Sequence, residues 1–284
     1  MNFYLKIIAG LICVLLFSEC NKDKITDDTY FGSKIMILGH RGMGRNYRMP
    51  WNTILSVTPA IGIGADGSEL DVQITKDSVL VFYHDHLLNP GTTCTGRIYE
   101  SNWSDIKQCE YYSVENNVFI NSVDELFSKI PNINKYYFSF DCGKVDTEVS
   151  DLDLYESQYL RAIKRICDKY NMSDNIFIEG TQELLVKAKA LGLTNKLFIY
   201  TTFDEQGIAT AYNNSFFGIS TGFDEIKINT DEAHKKGLYV MCWSPNNYLQ
   251  NLDALNKKVD IIQTDDPISI LKYLERFNYE YIIP

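Results

Sequence analysis

The sequence predicts an α/β fold, a TIM-type (β/α)8 barrel, on three observations. The chain has 284 residues, of which 45% are hydrophobic, so it is long enough to bury one large core. Short apolar runs alternate with helical patterns, which implies parallel strands joined by helical crossovers. Polar and charged residues recur where these runs end, and a barrel of this kind keeps its active site at that edge.

The first residues have the layout of an export signal. Lys6 precedes an apolar run over residues 7–17, which is too short to span a bilayer. Cys20 and a polar stretch follow. This resembles a bacterial lipoprotein signal, so we predict a signal peptide at 1–19, lipidation of Cys20, and a tether at 20–33 that anchors an exported protein to a membrane, on its periplasmic or cell-surface side. The alternative is an ordinary secretory signal cut nearby, with no role for Cys20.

Nine short apolar runs predict strands that are buried on both faces. Eight of them would close the barrel, and the run at 79–83 is predicted to be an extra strand. We therefore predict one barrel domain over 34–284. The nine runs are 34–38, 68–74, 79–83, 136–140, 175–178, 197–200, 216–219, 238–243 and 259–263.

Helical patterns lie between most of these runs, and Gly192 and Gly237 follow two of them as stop signals. From 87 to 122 there is no strong strand, but turn residues, cysteines and a stretch of Tyr, Ser and Asn. We predict that this segment is an inserted small subdomain, after the second strand unit, which lies over the barrel mouth. The clearest helical patterns cover 152–170, 181–191, 231–236 and 267–277.

Charge and cysteine content exclude several classes of protein. With 37 acidic against 27 basic residues, the net charge is −10, which argues against nucleic-acid binding because such binding needs clustered Lys and Arg. Any anionic ligand must therefore be held locally. No cysteine spacing matches a structural zinc site. Cys94 and Cys109 are close enough in sequence to pair in an exported protein, and the sequence leaves open whether they do.

Two carboxylates in the second apolar run predict a metal site. Glu69 and Asp71 are two residues apart, so both side chains lie on the same side of a strand. Two like charges there are costly unless a cation lies between them, and a hard divalent ion such as Mg²⁺ or Ca²⁺ prefers oxygen ligands. Asp141 ends the next barrel strand and is a candidate third ligand. The alternative is an ion pair with Lys or Arg or, for Asp141, a cap at the strand end.

Two histidines at strand ends predict proton transfer. His40 and Arg41 follow the first apolar run, and His84 follows the extra strand. One imidazole can take a proton from a nucleophile while the other gives one to a leaving group, and the guanidinium suits a phosphate. Together with a metal, this set indicates hydrolysis or transfer at a phosphate. The alternative for each is a merely hydrogen-bonded histidine, and His86 and His234 are predicted to lie on the surface.

The ordered motifs point to a known family. Each tripeptide alone is a weak signal, whereas the ordered set is specific. Over residues 34–274 the set resembles the glycerophosphodiester phosphodiesterase family, one of the PI-PLC-like phosphodiesterase barrels. The motifs are His40-Arg41-Gly42, Pro50-Trp51-Asn52-Thr53, Gly64-Ala65-Asp66, Glu69-Leu70-Asp71-Val72, Thr75-Lys76-Asp77, His84-Asp85 and Thr264-Asp265-Asp266-Pro267.

The resemblance implies a phosphoric diester hydrolase on a barrel with an inserted subdomain. It would use one divalent cation, Mg²⁺ or Ca²⁺, and convert glycerophosphodiesters to glycerol 3-phosphate and an alcohol. The family mechanism is thought to begin with attack by the neighbouring glycerol hydroxyl, so that a cyclic phosphate forms and is then hydrolysed. Carried over by position, the metal ligands are Glu69, Asp71 and Asp141 (normally Glu), the acid/base pair is His40 and His84, and the phosphate-binding arginine is Arg41.

The resemblance also implies substrate-binding positions. Asn52 begins the family's Asn-Thr pair, preceded here by Trp51 where the family has Glu. Gly143 stands where a phosphate-contacting lysine is common, and Lys144 follows it as the substitute. Trp243 lies in a Trp-Ser-Pro-Asn segment that is similar to the family's Trp-Thr-x-Asn, so it is predicted to line the pocket. A buried barrel tryptophan is the alternative for Trp243.

Two other functions stay open. One is a phospholipase or lysophospholipase D-like enzyme on membrane lipid headgroups, suggested by the predicted anchor and by Trp103, Tyr111 and Tyr112 in the insertion. The other is a non-catalytic lipoprotein that binds phosphodiesters. In each case the partner is a small-molecule or lipid phosphodiester and not a nucleic acid.

Overall fold

Eight parallel strands close into a barrel in the structure, a computed structural model that describes residues 28–113, 115–143, 148–227 and 229–284. The predicted TIM-type barrel is confirmed. The two remaining described strands, β3 (Leu80–Phe82) and β4 (Asn121–Ser122), lie outside the closed ring. In chain order the barrel strands are β1 (Met36–His40), β2 (Gly67–Ile74), β5 (Tyr137–Asp141), β6 (Ile176–Gly180), β7 (Lys196–Tyr200), β8 (Gly218–Gly222), β9 (Tyr239–Trp243) and β10 (Ile261–Thr264).

The barrel closes at β1, which pairs in parallel with both β2 and β10. His40 is opposite Glu69 on one side, and Gly39 is opposite Thr264 on the other. Because all eight strands run the same way, their carboxyl ends meet at one mouth. Residues from distant parts of the sequence, such as His40 and Asp265, are therefore brought together there.

Helices follow most of the barrel strands. The predicted helix over 152–170 is confirmed at both ends, because Asp151 caps its first turn and Asn171 ends it in the left-handed conformation. The other three clearest patterns are also helices, and their observed ends differ from the predicted ends by at most four residues. The described helices are α1 (Ile54–Gly62), α2 (Trp103–Ile106), α3 (Val123–Lys129), α4 (Leu152–Tyr170), α5 (Gln182–Ala190), α6 (Glu205–Asn213), α7 (Asp231–His234), α8 (Tyr248–Asn256) and α9 (Pro267–Tyr273).

Apolar side chains form a closed floor inside the barrel. Side chains alternate along a strand, so Phe177 and Glu179 of β6 lie on the same face of the strand. Phe177 is nearer its amino end and Glu179 is nearer its carboxyl end. The apolar layer blocks the barrel below, so the polar residues above it form the bottom of a pocket rather than of a pore. The buried members of this layer are Leu38, Phe177, Phe198, Met241 and Ile261.

Residues 87–113 and 115–122 pack as a small unit beside the barrel mouth. Strand β3 pairs antiparallel with β2, and β4 pairs antiparallel with β3, so the sheet extends outward from the barrel at this point. Cys94 and Cys109 form a disulfide, which answers the question that their spacing left open. The apolar cluster beneath comprises Val81, Tyr83, Leu88, Ile98, Ile106, Cys109 and Ile120.

His234 is buried, so the prediction that it lies on the surface is wrong. Its Nε2 lies 2.9 Å from Asp260 Oδ2, and the ring of Tyr30 stacks on it. The short helix that carries His234 is rich in charged residues, so its sequence gave no sign that the fold buries this side chain.

In the part of the chain that the structure describes, no helix has the length and apolar content to cross a membrane. The predicted signal peptide and Cys20 lie outside the described residues.

Candidate active site

Three carboxylates from two neighbouring strands meet at the barrel mouth. Glu69 and Asp71 lie on β2, and Asp141, at the end of β5, is directly opposite Asp71. One oxygen from each of the three lies within 4.8 Å of the others. Glu69 and Asp71 are only 2% and 0% exposed, whereas Asp141 is half-buried and faces the cleft. The structure thus brings together the three ligands that the sequence predicts.

The electrostatics of this cluster fit a hard divalent cation. Burial raises the pKa of Glu69 well above its usual value, and the charge of Asp71 raises it further, while Arg41 acts in the opposite direction. Asp71 Oδ1 is buried without a hydrogen bond. An unpaired buried carboxylate oxygen beside two other carboxylates matches the all-oxygen ligand set that Mg²⁺ and Ca²⁺ prefer. The residues present therefore fit the predicted metal.

Arg41 borders the carboxylates from the loop after β1. Its Nε lies 3.1 Å from Asp71 Oδ2, and its backbone N–H donates to Glu69 Oε2 at 2.9 Å. Its φ of 56° is in the left-handed region, which is uncommon for a residue other than glycine and is found at constrained functional positions. Next to it, a Cβ at Gly42 would lie 2.3 Å from Ser56 Oγ, so that position requires glycine.

Asn52 holds Asp71 from the other side. Its Nδ2 donates to Asp71 Oδ2 at 2.7 Å, and its Oδ1 accepts from the Asp71 backbone N–H at 3.0 Å. Both ends of the amide are thus committed to one residue, and Asn52 is itself buried. The observed contacts orient a carboxylate, and direct contact with substrate stays a prediction.

His40 is oriented by a carboxylate. Its Nδ1 lies 2.9 Å from Asp265 Oδ1, and its Nε2 lies 3.7 Å from Glu69 Oε2. The sequence singled out Asp265 only as part of a motif and gave it no role. Burial acts to raise the pKa of Asp265, but hydrogen bonds from His40 and from the Arg45 backbone N–H, together with the charge of Arg41, outweigh that effect and lower it.

His84 forms a second, more open pair. Its Nδ1 lies 2.7 Å from Asp85 Oδ1, and both side chains are partly exposed. Asp85 was present in the His-Asp motif, but its role as a partner is visible only from the structure. The two histidines predicted to transfer protons, His40 and His84, line two different clefts.

The first cleft, which we call the hydroxyl cleft, has a volume of about 520 Å³. It contains His40, Arg41, Glu69 and Asp141, and Trp243 lines it with 40% of its surface exposed. Trp243 is therefore not a buried barrel tryptophan. The hydroxyl-bearing side chains that define the cleft are Tyr200, Thr201, Thr202, Ser220, Thr221 and Ser244.

The second cleft, which we call the aromatic cleft, has a volume of about 750 Å³ and contains His84 and Asp85. It lies between the loop that carries Trp51 and the disulfide-bonded insertion. The Arg41 guanidinium of the hydroxyl cleft lies 4.9 Å from the centre of the Trp51 ring, so the two clefts are neighbours. The rings that define the aromatic cleft are Trp51, Tyr83, Tyr111 and Tyr112.

Glu179 lies beneath the hydroxyl cleft and was missed by the sequence-based prediction, whose strand ended one residue before it. Its carboxylate accepts hydrogen bonds from Ser139 Oγ and Gln263 Nε2, each at 2.5 Å, and from Ser220 Oγ. Burial, and then the charge of Asp141, raise its pKa from 4.5 to about 7. A carboxylate at the end of an apolar run was the available signal.

Lys144, the predicted substitute for a phosphate-contacting lysine, lies outside the described residues. Beside it, the Gly143 backbone N–H donates to Asp141 Oδ1 at 2.7 Å. This bond orients the third carboxylate of the cluster from the loop after β5.

A closed parallel barrel with buried carboxylates, an arginine and carboxylate-paired histidines at its mouth is a barrel of the phosphodiesterase type. The glycerophosphoryl diester phosphodiesterase family matches residues 40–269, and the chain belongs to this family.

Individual relatives match shorter segments. A glycerophosphodiester phosphodiesterase of Caldanaerobacter subterraneus is 39% identical over 77 residues, which cover 27% of this chain and 31% of that protein. One of Bacillus altitudinis is 42% identical over 72 residues, covering 25% of this chain and 29% of that protein. The chain thus matches about a third of the length of these curated relatives.

Solved structures match the whole barrel. A glycerophosphodiester phosphodiesterase from Parabacteroides distasonis has a TM-score of 0.71 at 18% identity, covering 84% of this chain and 96% of that one. A phosphodiesterase from Oleispira antarctica, solved in complex with the product sn-glycerol-3-phosphate, has a TM-score of 0.70 at 17% identity, covering 84% and 96%. At these identities the similarity shows the fold alone.

Proposed function

We propose that this protein is a metal-dependent phosphodiesterase that hydrolyses glycerophosphodiesters to glycerol 3-phosphate and an alcohol. The observation that carries the proposal is the meeting of Glu69, Asp71 and Asp141 with the Arg41 guanidinium in the cleft that His40 lines. A divalent cation held by these three carboxylates would act as a Lewis acid towards a phosphoryl oxygen. Family membership and the relatives' names support the same reaction class.

Arg41 binds the phosphate in this proposal. The protein has a net charge of −10, so a local cation must hold an anionic substrate. The Arg41 side chain lies at the carboxylate cluster and faces the hydroxyl cleft. The hydroxyl groups of that cleft suit the glycerol part of the substrate, because they can donate to and accept from its hydroxyls.

His40 and His84 move the protons in this proposal. With Nδ1–H directed at Asp265, His40 Nε2 is free to take the proton of the glycerol hydroxyl while that oxygen bonds to phosphorus. His84, oriented by Asp85, gives a proton to the leaving oxygen as its bond to phosphorus breaks. The roles reverse when water opens the cyclic phosphate.

Product release by the full-length protein tests the proposal. We expect glycerol 3-phosphate from glycerophosphocholine and glycerophosphoethanolamine, loss of release with chelator, and recovery on adding Mg²⁺ or Ca²⁺. Glu69→Gln should lose both release and metal binding. Asp168→Asn, an exposed carboxylate paired with Lys164, is the control and should match the parent. Release that resists chelator and Glu69→Gln would contradict the proposal.

A lipid-headgroup enzyme is the second candidate, and one observation favours it. Exposed apolar side chains occur around the barrel mouth, including Leu154 in the first turn of α4 and Leu249 in that of α8. Exposed apolar patches of this kind mark interaction surfaces. Turnover of lysophosphatidylcholine that rises sharply above its micelle concentration would favour this candidate over the first. Exposed apolar residues of the loops and helix starts at the mouth include Trp51, Leu55, Leu87, Tyr112, Leu152, Leu154, Trp243, Tyr248 and Leu249.

The proposed location is a membrane, through a lipid on Cys20 on the periplasmic or cell-surface side. The Cys94–Cys109 disulfide supports an exported protein, because disulfides persist in oxidising compartments. In a bacterial host, the parent should sediment with membranes and Cys20→Ala should not. Equal sedimentation of the two would refute lipidation.

A further inference from the structure

Tyr200 reaches the carboxylate cluster from a strand that is not next to it. It is the last residue of β7, and β6 separates β7 from β5, which carries Asp141. Side chains alternate along a strand, so Tyr200 shares the inward face of β7 with Phe198 of the apolar floor. Its ring lines the hydroxyl cleft, and its phenol is hydrogen-bonded to the Asp141 carboxylate. A neutral phenol is the donor in such a bond.

Asp141 is the carboxylate of the cluster that the protein encloses least. Glu69 and Asp71 are fully enclosed within β2, whereas Asp141 ends its strand and is half-buried. Glu179 lies opposite Asp141 on β6, so a further carboxylate acts on it from that side. Donors from two separate segments hold Asp141 in place, because the Gly143 backbone N–H bonds to Oδ1 at 2.7 Å and Tyr200 adds its phenol.

The ring of Tyr200 packs so closely on Gly143 that no side chain fits between them. A Cβ at position 143 would lie 2.8 Å from Tyr200 Cε2 and 2.9 Å from Asp141 Oδ1. Carbon atoms do not approach this closely without displacement, so either the ring or the carboxylate would have to move. Gly143, Tyr200 and Asp141 therefore form one packed unit, in which the ring fixes where the carboxylate can lie.

We propose that Tyr200 is a positioning residue that fixes Asp141 as a metal ligand and thereby favours Mg²⁺ over Ca²⁺. Mg²⁺ demands near-ideal octahedral geometry, whereas Ca²⁺ accepts flexible arrangements of its ligands. A carboxylate held by two donors keeps one orientation, which suits the more demanding ion, and such outer contacts contribute strongly to metal affinity. The inference rests on the proposed metal binding by the three carboxylates. It adds the residue that sets the preference between the two ions.

Calorimetric titration of the full-length protein with magnesium chloride and with calcium chloride tests the inference without turnover. Tyr200→Phe keeps the ring and loses only the donor. We expect its Mg²⁺ affinity to fall about tenfold or more, because the partners of metal ligands contribute on that scale. Its Ca²⁺ affinity should fall about threefold or less, because Ca²⁺ can readjust its ligands. Equal losses for the two ions, or no loss for Mg²⁺, would overturn the inference.

Tyr170→Phe is the matched control. The Tyr170 hydroxyl also donates to a carboxylate, Asp124 Oδ1 at 2.7 Å, but Tyr170 is the last residue of α4 and lines neither cleft. This variant loses a hydrogen bond of the same kind and should keep the parental affinity for both ions. A loss of Mg²⁺ affinity as large as that of Tyr200→Phe would show a general loosening of the fold and contradict the inference.

Gly143→Ala disturbs the same unit without removing a donor. The added Cβ requires the Tyr200 ring or the Asp141 carboxylate to move, so Mg²⁺ affinity should again fall more than Ca²⁺ affinity. Parental affinity for Mg²⁺ in Gly143→Ala would contradict the packing argument.

Binding and turnover together separate failure of the inference from failure of the proposed function. If the parent shows metal-dependent hydrolysis and Tyr200→Phe keeps the parental ion preference, the inference falls and the function stands. If Tyr200→Phe loses the preference but the parent releases no glycerol 3-phosphate, the function falls and the inference stands. A raised KM for the diester at saturating metal, with both metal affinities unchanged, would show that Tyr200 contacts substrate instead and would also overturn the inference.

Discussion

His40 Nδ1 lies 2.9 Å from Asp265 Oδ1, although the two residues are 225 positions apart in the sequence. They meet because β1 and β10 pair where the barrel closes. The lowered pKa of Asp265 keeps its carboxylate charged, although burial opposes this. The charged oxygen holds the imidazole hydrogen on Nδ1 and leaves Nε2 free towards the hydroxyl cleft.

Removing that charge should slow the chemistry. We expect Asp265→Asn to lower kcat roughly 10²- to 10⁴-fold with a small change in KM, because the imidazole loses the negative charge that fixes its proton on Nδ1 and stabilises its charged form. Steady-state kinetics on a glycerophosphodiester would measure this. Asp266→Asn is the matched control, because Asp266 caps α9 and asparagine caps equally well. Parental kcat in Asp265→Asn would refute the role.

Glu179 should make stability fall as the pH rises. Its pKa is about 7 in the folded protein against 4.5 in the unfolded chain, so the folded state binds more protons between these values. The free energy of unfolding therefore decreases by on the order of 3 kcal/mol from pH 4.5 to 7 through this group.

Denaturant unfolding at pH 5 and pH 7.5, in the presence of chelator, would measure this effect. Glu179→Gln should unfold with a smaller difference between the two pH values than the parent. Glu183→Gln, at an exposed position of α5, should keep the parental difference. The same pH dependence in Glu179→Gln and the parent would contradict the prediction.

The disulfide should stabilise the insertion. Cys94 and Cys109 close a loop of 15 residues, for which chain-entropy models give about 3 kcal/mol. We expect reduction, or the double change Cys94→Ser with Cys109→Ser, to lower the stability of this segment, measured by hydrogen exchange of Ile98 and Ile106. Reductant should have no further effect on the double variant. Unchanged exchange after reduction would count against this role.

His234 should contribute to global stability. It pairs with Asp260 where both side chains are at most 1% exposed, and Asp260 Oδ1 has no hydrogen bond. His234→Leu would leave a buried carboxylate without its partner, so we expect a loss of about 3–5 kcal/mol in urea unfolding. Adding Asp260→Asn should recover part of the loss. His86→Leu, at an exposed position, is the control, and a similar loss there would contradict the burial argument.

Local sequence patterns were sufficient to predict many of the helices and strands. Both ends of helix α4 could be predicted from the sequence, because its apolar stripe is long and Asp151 caps its first turn. Helix α1 was harder to predict, because it is short, contains Pro59 and lacks a side-chain cap. Side-chain alternation was enough to put Glu69 and Asp71 on one side of β2.

Other features depend on contacts between segments that are far apart in the chain. Asp265 becomes the partner of His40 only when the barrel closes, and Glu179 acquires its donors from three different strands. His234 contacts Tyr30 and Asp260, which lie outside its own helix, so the sequence of that helix could not predict its burial.

The sequence by itself determined the barrel and its family, the three carboxylates and the two histidines, because strand periodicity and short motifs are local properties. Only the tertiary structure decided that His40 and His84 lie in separate clefts, one lined by hydroxyls and one by aromatic rings. The physical reason is that a cleft is formed by loops from several strands. Its shape and charge therefore depend on how those loops pack, which no single segment encodes.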